Sequence, residues 1–310
     1  MEPIGLIVAL NGQRHPAPFG HPESVERLQP AADSLRRQEE LLPLSITPHE
    51  TSVIDAVHGS DFLQRLRRFA EQGGGDYDAD TYVQPGSWSA ALEASDALLS
   101  AVDAAFGGGP RKSMVIARPP GHHAETARAM GFCLINQVAV AARYAIDHCH
   151  AERVAIVDFD VHHGNGTQEI FYEEPDVMYI SSHQFPFYPG TGCAEEAGRG
   201  RGEGYTRNFP LRAGAGDSEA RSLYETQVCP LLEQFRPDVI LVSAGFDGHR
   251  DDPLAGLEFI EETYNHLGSL LAGCAGTRCA GRLISYVEGG YNPVAMRDSI
   301  LSYVRGLQQQ

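Results

Sequence analysis

The chain has 310 residues, 42% of them apolar and 21% charged, with a formal net charge of −17. That length can bury a large core in one α/β domain or two smaller ones, and the acidity argues against a nucleic-acid or anionic-membrane surface. No apolar run approaches a membrane span, and the opening MEPIGLIVAL has neither the basic segment nor the cleavage site of a secretory leader, so a cytoplasmic location is expected.

Taken in chain order, short apolar runs alternate with helix-period segments. Gly5–Leu10 predicts the first strand. Residues 87–106 predict a helix, with Ser87 as its cap and Gly107-Gly108-Gly109 as its stop. Strands are predicted at Met114–Ala117, Val154–Asp158, Val177–Ser181, Val239–Ala244 and Leu283–Val287. Between them, 134–148, 218–235 and 258–272 have helical spacing, with Pro230 kinking or ending the second of these. Alternating strands and helices predict a mostly parallel sheet with helices on both faces. The glycine-rich pieces 73–75, 107–109 and 198–204 are short loops, and no repeat divides the chain, so 1–310 is expected to be one domain.

The six cysteines form no CxxC pair and are expected to be reduced, mostly structural thiols. His148-Cys149-His150 ends a helix-like stretch, where residues two apart do not share a face, so no metal role is expected there.

Ligands bind beyond the carboxyl ends of the strands in such sheets. Each of five runs is followed there by polar residues: Arg118 to His123, Asp158 to His163, Ser182 to Gln184, Gly245 to Asp247, and Glu288 to Asn292. The segment Asp158-Phe159-Asp160-Val161-His162 is the most telling. Strand side chains alternate, so two carboxylates and an imidazole point one way while the extended geometry lasts, which suits a divalent metal.

RPPGHHA (118–124), GFCLINQVA (131–139), DFDVHHGNGTQ (158–168), FYPGTG (187–192), LVSAGFDGHRDDPLAG (241–256) and EGGYN (288–292) resemble, in order, the signature blocks of the histone deacetylase family. HPESVERL (21–28) resembles its N-terminal block, so the likeness covers nearly the whole chain. That family includes bacterial acetylpolyamine amidohydrolases. The resemblance implies an arginase/deacetylase-like α/β domain with about eight strands, a catalytic Zn²⁺, and hydrolysis of acetylated amines.

By that resemblance Asp160, His162 and Asp247 are the zinc ligands, and two oxygens with one nitrogen leave open positions for water and the substrate carbonyl. Fe²⁺ also suits such a mixed site. The adjacent His122 and His123 supply a base and an acid for amide hydrolysis. The resemblance pairs Asp158 with His122 and Asn165 with His123, an asparagine being the mark of the class II-like branch. His123 is expected to be the main base and final acid, with His122 in an electrostatic role. Tyr291, after two glycines, is placed to donate to the oxyanion.

Gly131 with Phe132, and Tyr188 opposite, are the expected channel walls, and Asp80 matches the rim aspartate that holds the substrate backbone in relatives. Tyr188 departs from the more usual Phe, and INQVA from the more usual FNNVA. Asp158, Asp160, His162, Ser181 and Ser182 match a K⁺ site, mostly through backbone carbonyls. The expected substrate is an acetylated lysine side chain or a related acetylated amine. An acetylpolyamine amidohydrolase is the alternative. An arginase-like ureohydrolase and a non-catalytic acyl-lysine binding protein fit less well, because the dyad, the ligands and the tyrosine are all present.

Overall fold

The computed structural model describes residues 2–309. Its strands are β1 (Ile4–Ala9), β2 (Leu41–Pro43), β3 (Gly75–Asp76), β4 (Tyr82–Val83), β5 (Lys112–Ala117), β6 (Val154–Asp158), β7 (Val177–Gln184), β8 (Thr206–Leu211), β9 (Val239–Ala244) and β10 (Leu283–Val287). Its helices are α1 (Val25–Leu35), α2 (Ser52–Asp55), α3 (Ser60–Glu71), α4 (Ser87–Phe106), α5 (Gln137–Asp147), α6 (Asn165–Phe171), α7 (Asp217–Leu223), α8 (Cys229–Phe235), α9 (Glu261–Arg278) and α10 (Pro293–Gln308). Eight strands form one parallel sheet in the order β2-β1-β5-β10-β9-β6-β7-β8, and β3 and β4 form a separate antiparallel pair.

The apolar runs form central strands because each serves two cores. In β6, Ala155 and Val157 join one cluster with Leu28, Tyr264, Leu267 and Ile300, beneath α1, α9 and α10. Val154 and Ile156 join the other, with Leu66, Leu98, Leu99 and Val138, beneath α3, α4 and α5. A strand with both faces covered reads as an unbroken apolar run.

Two local expectations are corrected. Ser87 does not cap α4: it is the first helical residue, and its Oγ accepts from Gln84 N at 2.7 Å and pairs with His15 Nδ1 at 2.6 Å. The helix predicted over 218–235 is α7 and α8 joined by a π-helical stretch at Tyr224–Val228. That wide turn sits just before Pro230, in the first turn of α8, where a missing N–H costs least. No helix among the described residues is long and apolar enough to cross a membrane.

Candidate active site and metal centre

The site lies beyond the carboxyl ends of five adjacent strands, β5, β10, β9, β6 and β7, taken in their order across the sheet. The extended geometry of β6 ends at Asp158, sooner than the alternation argument requires. Beyond it, short side-chain contacts shape the turn: Asp160 N donates to Asp158 Oδ1 at 3.1 Å, and His162 N donates to Asp160 Oδ1 at 2.9 Å. These Asx-type bonds stop the strand and turn Asp160 and His162 toward Asp247.

Asp160, His162 and Asp247 each offer one ligand atom, all within 4.8 Å of one another. His162 Nδ1 stands 3.1 Å from Asp160 Oδ1 and 3.2 Å from Asp247 Oδ2. The outward oxygens are held from behind: Asp160 Oδ2 accepts from Gly289 N at 2.8 Å, and Asp247 Oδ1 accepts from Val161 N at 3.0 Å. Asp247 Oδ2 is buried and accepts no hydrogen bond. An orphaned, inward carboxylate oxygen beside a second carboxylate and an imidazole is the donor set a divalent cation uses. Burial and the neighbouring Asp160 push the Asp247 carboxyl up to about 7, so the pair is ill at ease without a cation.

Gly289 passes directly over this cluster. A Cβ there would overlap the carboxylates of Asp247 and Asp160, so only glycine lets the β10 turn approach. The turn then ends quickly. Asn292 Oδ1 accepts from Val294 N and Ala295 N at 3.1 and 3.2 Å, starting α10 with Pro293 in its first turn and leaving Tyr291 at the cavity wall. Tyr291 N donates to Asp252 Oδ2 at 2.7 Å, and burial keeps the phenol protonated despite the Arg27 guanidinium 5.5 Å from its ring centre.

The two histidines follow β5. His122 Nδ1 is 3.1 Å from Asp158 Oδ2, which also accepts from Tyr179 OH at 3.0 Å. Burial opposes protonation of His122, but Asp160 and Asp158 outweigh it and raise its pKa to about 10. His123 Nδ1 is 2.8 Å from Asn165 Oδ1. Burial, then the neighbouring His122 and His162, hold His123 well below the ordinary imidazole value. The turn bearing both is pinned by Glu288, whose Oε2 accepts from Gly121 N at 2.7 Å and from His122 N at 3.3 Å, and whose Oε1 accepts from Ser243 Oγ at 3.1 Å.

A cavity of about 230 Å³ leads to the cluster, lined by Asp80, His123, Gly131, Phe132, His162, Phe187, Tyr188, Leu254 and Tyr291. Phe132 stands edge-on to Tyr291, and Tyr188 edge-on to His123 at 5.2 Å. The Phe132 backbone lies in the left-handed region at φ 68°, held there by its N–H on Thr81 Oγ1 at 3.1 Å. A Cβ on Gly131 would strike the His123 ring, which explains glycine at that wall. Asp80 sits at the mouth, its Oδ1 accepting from Thr81 Oγ1 at 2.9 Å and its carbonyl facing His21 Nε2 at 3.0 Å. Ser181 lies beside Asp158 in the β6–β7 register, with Ser182 next to it. Their hydroxyls face His183 Nδ1 at 2.8 Å and Tyr224 OH at 3.0 Å.

Residues 21–307 match the Histone deacetylase domain model. The chain belongs to the histone deacetylase family. It is 42% identical to a probable deacetylase of Methanothermobacter thermautotrophicus, over 93% of this chain and 86% of that protein. It is 37% identical to a histone deacetylase-like amidohydrolase of Pseudomonas aeruginosa, over 94% and 78%. The crystal structure of an HDA15 HD domain superimposes with a TM-score of 0.90 at 34% identity, covering 98% of this chain and 91% of that one. The fold is therefore that of a histone deacetylase domain.

Sequence reasoning missed a layer behind the site. Glu288 was visible only as part of a block. Arg118 pairs bidentately with Glu23, Nε to Oε1 at 2.6 Å and Nη2 to Oε2 at 2.7 Å, both residues fully buried. Arg27 Nη1 donates to Gly290 O at 3.3 Å, tying the N-terminal block to the tyrosine turn. The invitation to look was a charged residue inside each of two otherwise turn-like blocks, HPE and RPP.

Proposed function

We propose that this family member hydrolyses the acetyl amide of acetyl-lysine or a related acetylated amine. The observation that supports it most is the convergence of Asp160, His162 and Asp247 with the His122–His123 pair and Tyr291 at one narrow cavity. Zn²⁺ held by the triad would polarise the acyl carbonyl and acidify a water, and Fe²⁺ suits the same donors.

The chain's own groups divide the rest. Phe132 and Tyr188 take the apolar stem of the substrate between them, and Asp80 meets its polar part at the rim. His123, with Nδ1 bonded to Asn165, takes the water proton at Nε2 and returns it to the leaving amine. His122, clasped by Asp158, stays protonated and contributes charge rather than proton transfer. The Tyr291 hydroxyl donates to the oxyanion. A K⁺ near Asp158, Asp160, His162, Ser181 and Ser182, held mostly by backbone carbonyls, belongs to the same proposal. A cytoplasmic setting is carried as part of it too.

The test is acetate release by the zinc-loaded protein from an acetyl-lysine peptide and from an acetylated polyamine, with Tyr291→Phe as control. Turnover lost in the control supports the mechanism, and the preferred substrate separates the two readings. No turnover of either substrate would sink it.

A further inference from the structure

His123 is not served by a carboxylate directly, yet a carboxylate stands one residue behind it. Asn165 Oδ1 faces His123 Nδ1 at 2.8 Å, while Asn165 Nδ2 donates to Glu125 Oε1 at 2.7 Å. An amide has a donor end and an acceptor end, and without a second partner it can offer either to an imidazole. An ionised carboxylate only accepts. Glu125 therefore obliges Asn165 to turn its NH₂ outward and its carbonyl toward the ring. That carbonyl accepts only from a protonated Nδ1, which leaves Nε2 of neutral His123 bare for the substrate side.

We propose that Glu125 is a positioning residue that locks the amide of Asn165 and, through it, the Nδ1–H tautomer of His123. This rests on the assignment of His123 as the base.

The surroundings of Glu125 fit a fixed partner. Its N–H donates to Arg128 O at 2.9 Å, and its carbonyl accepts from His58 Nδ1 at 2.9 Å. Burial lowers the His58 pKa to about 4, so the ring is neutral, and its Nε2 accepts from Asn136 N at 2.9 Å. The next residue, Thr126, is held on α6 by two bonds from its N and Oγ1 to Glu169 Oε2, at 2.9 and 2.7 Å. The carboxylate itself opens onto a separate cleft of about 700 Å³, lined also by Asn165, Glu169 and Glu196.

Glu125→Gln keeps shape but ends in an amide that donates or accepts, which frees Asn165 to flip. In the zinc-loaded protein, kcat is expected to fall about tenfold or more with KM little changed, as for other groups that orient a functional residue. Histidine ¹⁵N spectra should show His123 leaving a single Nδ1–H tautomer for a mixture. In an Asn165→Asp background both ends of the side chain accept, the lock is redundant, and Glu125 becomes a like-charge neighbour. There the same Glu125→Gln change should raise kcat. An unaltered His123 tautomer, or an equal loss in both backgrounds, would overturn the proposal. The spectra need no turnover, so they judge the lock even if the deacetylase reading fails.

Discussion

His122 and His123 are ring-to-ring neighbours, with centroids 4.0 Å apart at 44°, yet they face partners of opposite character. His122 meets a buried carboxylate and His123 an amide. A carboxylate stabilises imidazolium more than an amide does, which favours the proton on His122 over His123. Deletion should separate them. His123→Ala is expected to lose turnover toward the upper end of the roughly 10²–10⁴-fold range of general acid–base catalysis, and His122→Ala toward its lower end. Steady-state kcat for the two variants decides it, and near-normal turnover by His123→Ala would reverse the roles.

Tyr291→Phe removes one hydroxyl and leaves the edge-on packing with Phe132 intact. Loss of a single oxyanion donor costs on the order of 10²–10³ in kcat. Such a fall with unchanged KM and melting temperature is expected, and a mainly raised KM would make the tyrosine a binding group instead.

Removal of the metal should affect stability as well as activity. Asp160 and Asp247 are both buried, and the second is pushed up in pKa by burial and by the first. A chelator should abolish acetate release and lower the melting temperature, with restoration by one equivalent of Zn²⁺. Asn at position 247 should lose the ion yet raise the melting temperature of the chelated protein, because one buried charge is gone. Differential scanning calorimetry of wild type and Asp247→Asn with and without chelator reads both signs, and a chelated variant less stable than chelated wild type would contradict them.

His58 gives a pH dependence of definite sign. Its pKa is lowered from the ordinary 6.5 to about 4 by burial, so its contribution to stability is complete above 6.5 and is lost as pH falls to about 4. The loss across that window is on the order of 3 kcal/mol. Gln offers one donor and one acceptor but does not titrate. The destabilisation caused by His58→Gln at pH 7.5 should therefore shrink as the pH is lowered toward 4.5. Urea midpoints at both values test this, and a gap that stays constant would show that His58 does not titrate in this way.

What was legible in the sequence follows from burial. β6, β9 and β10 have the bounds their apolar runs predict, since a strand covered on both faces reads as a mostly apolar run, and the few polar side chains in it find buried partners, as Ser243 does in Glu288 and Ser285 in Tyr303 OH. β7 runs three residues beyond its apolar part because Ser182 and His183 find partners there, Ser182 in Tyr224 OH and His183 Nε2 in Gly192 O at 2.8 Å. β8, TRNFPL, lies at the sheet edge with Pro210 in it and carries little strand pattern. Asp160, His162 and Asp247 come together with His122 and His123 because each follows the end of a main-sheet strand, whereas Phe132, Tyr188 and Asp80 reach the same cavity from longer loops. Glu125 did not stand out, since its partner Asn165 is 40 residues away, and Glu23 finds Arg118 at a separation of 95. Neither distance leaves a periodic trace.

The strand order has a consequence for how the protein comes into being. β5 and β6 are consecutive main-sheet strands in the chain, but β10 and β9 lie between them in the sheet. The middle of the sheet is thus the last part of the sheet to leave the ribosome. Until Val239–Ala244 and Leu283–Val287 emerge, β5 and β6 wait with bare inner edges, and long-range pairings of that kind are slow to form. His122 and Asp160 exist early, while Asp247 and Tyr291 arrive only with these closing strands. A growing chain therefore lacks Asp247 and Tyr291 until β9 and β10 have been made, and a product cut short before β10 would expose the sheet edges most prone to stick to another chain.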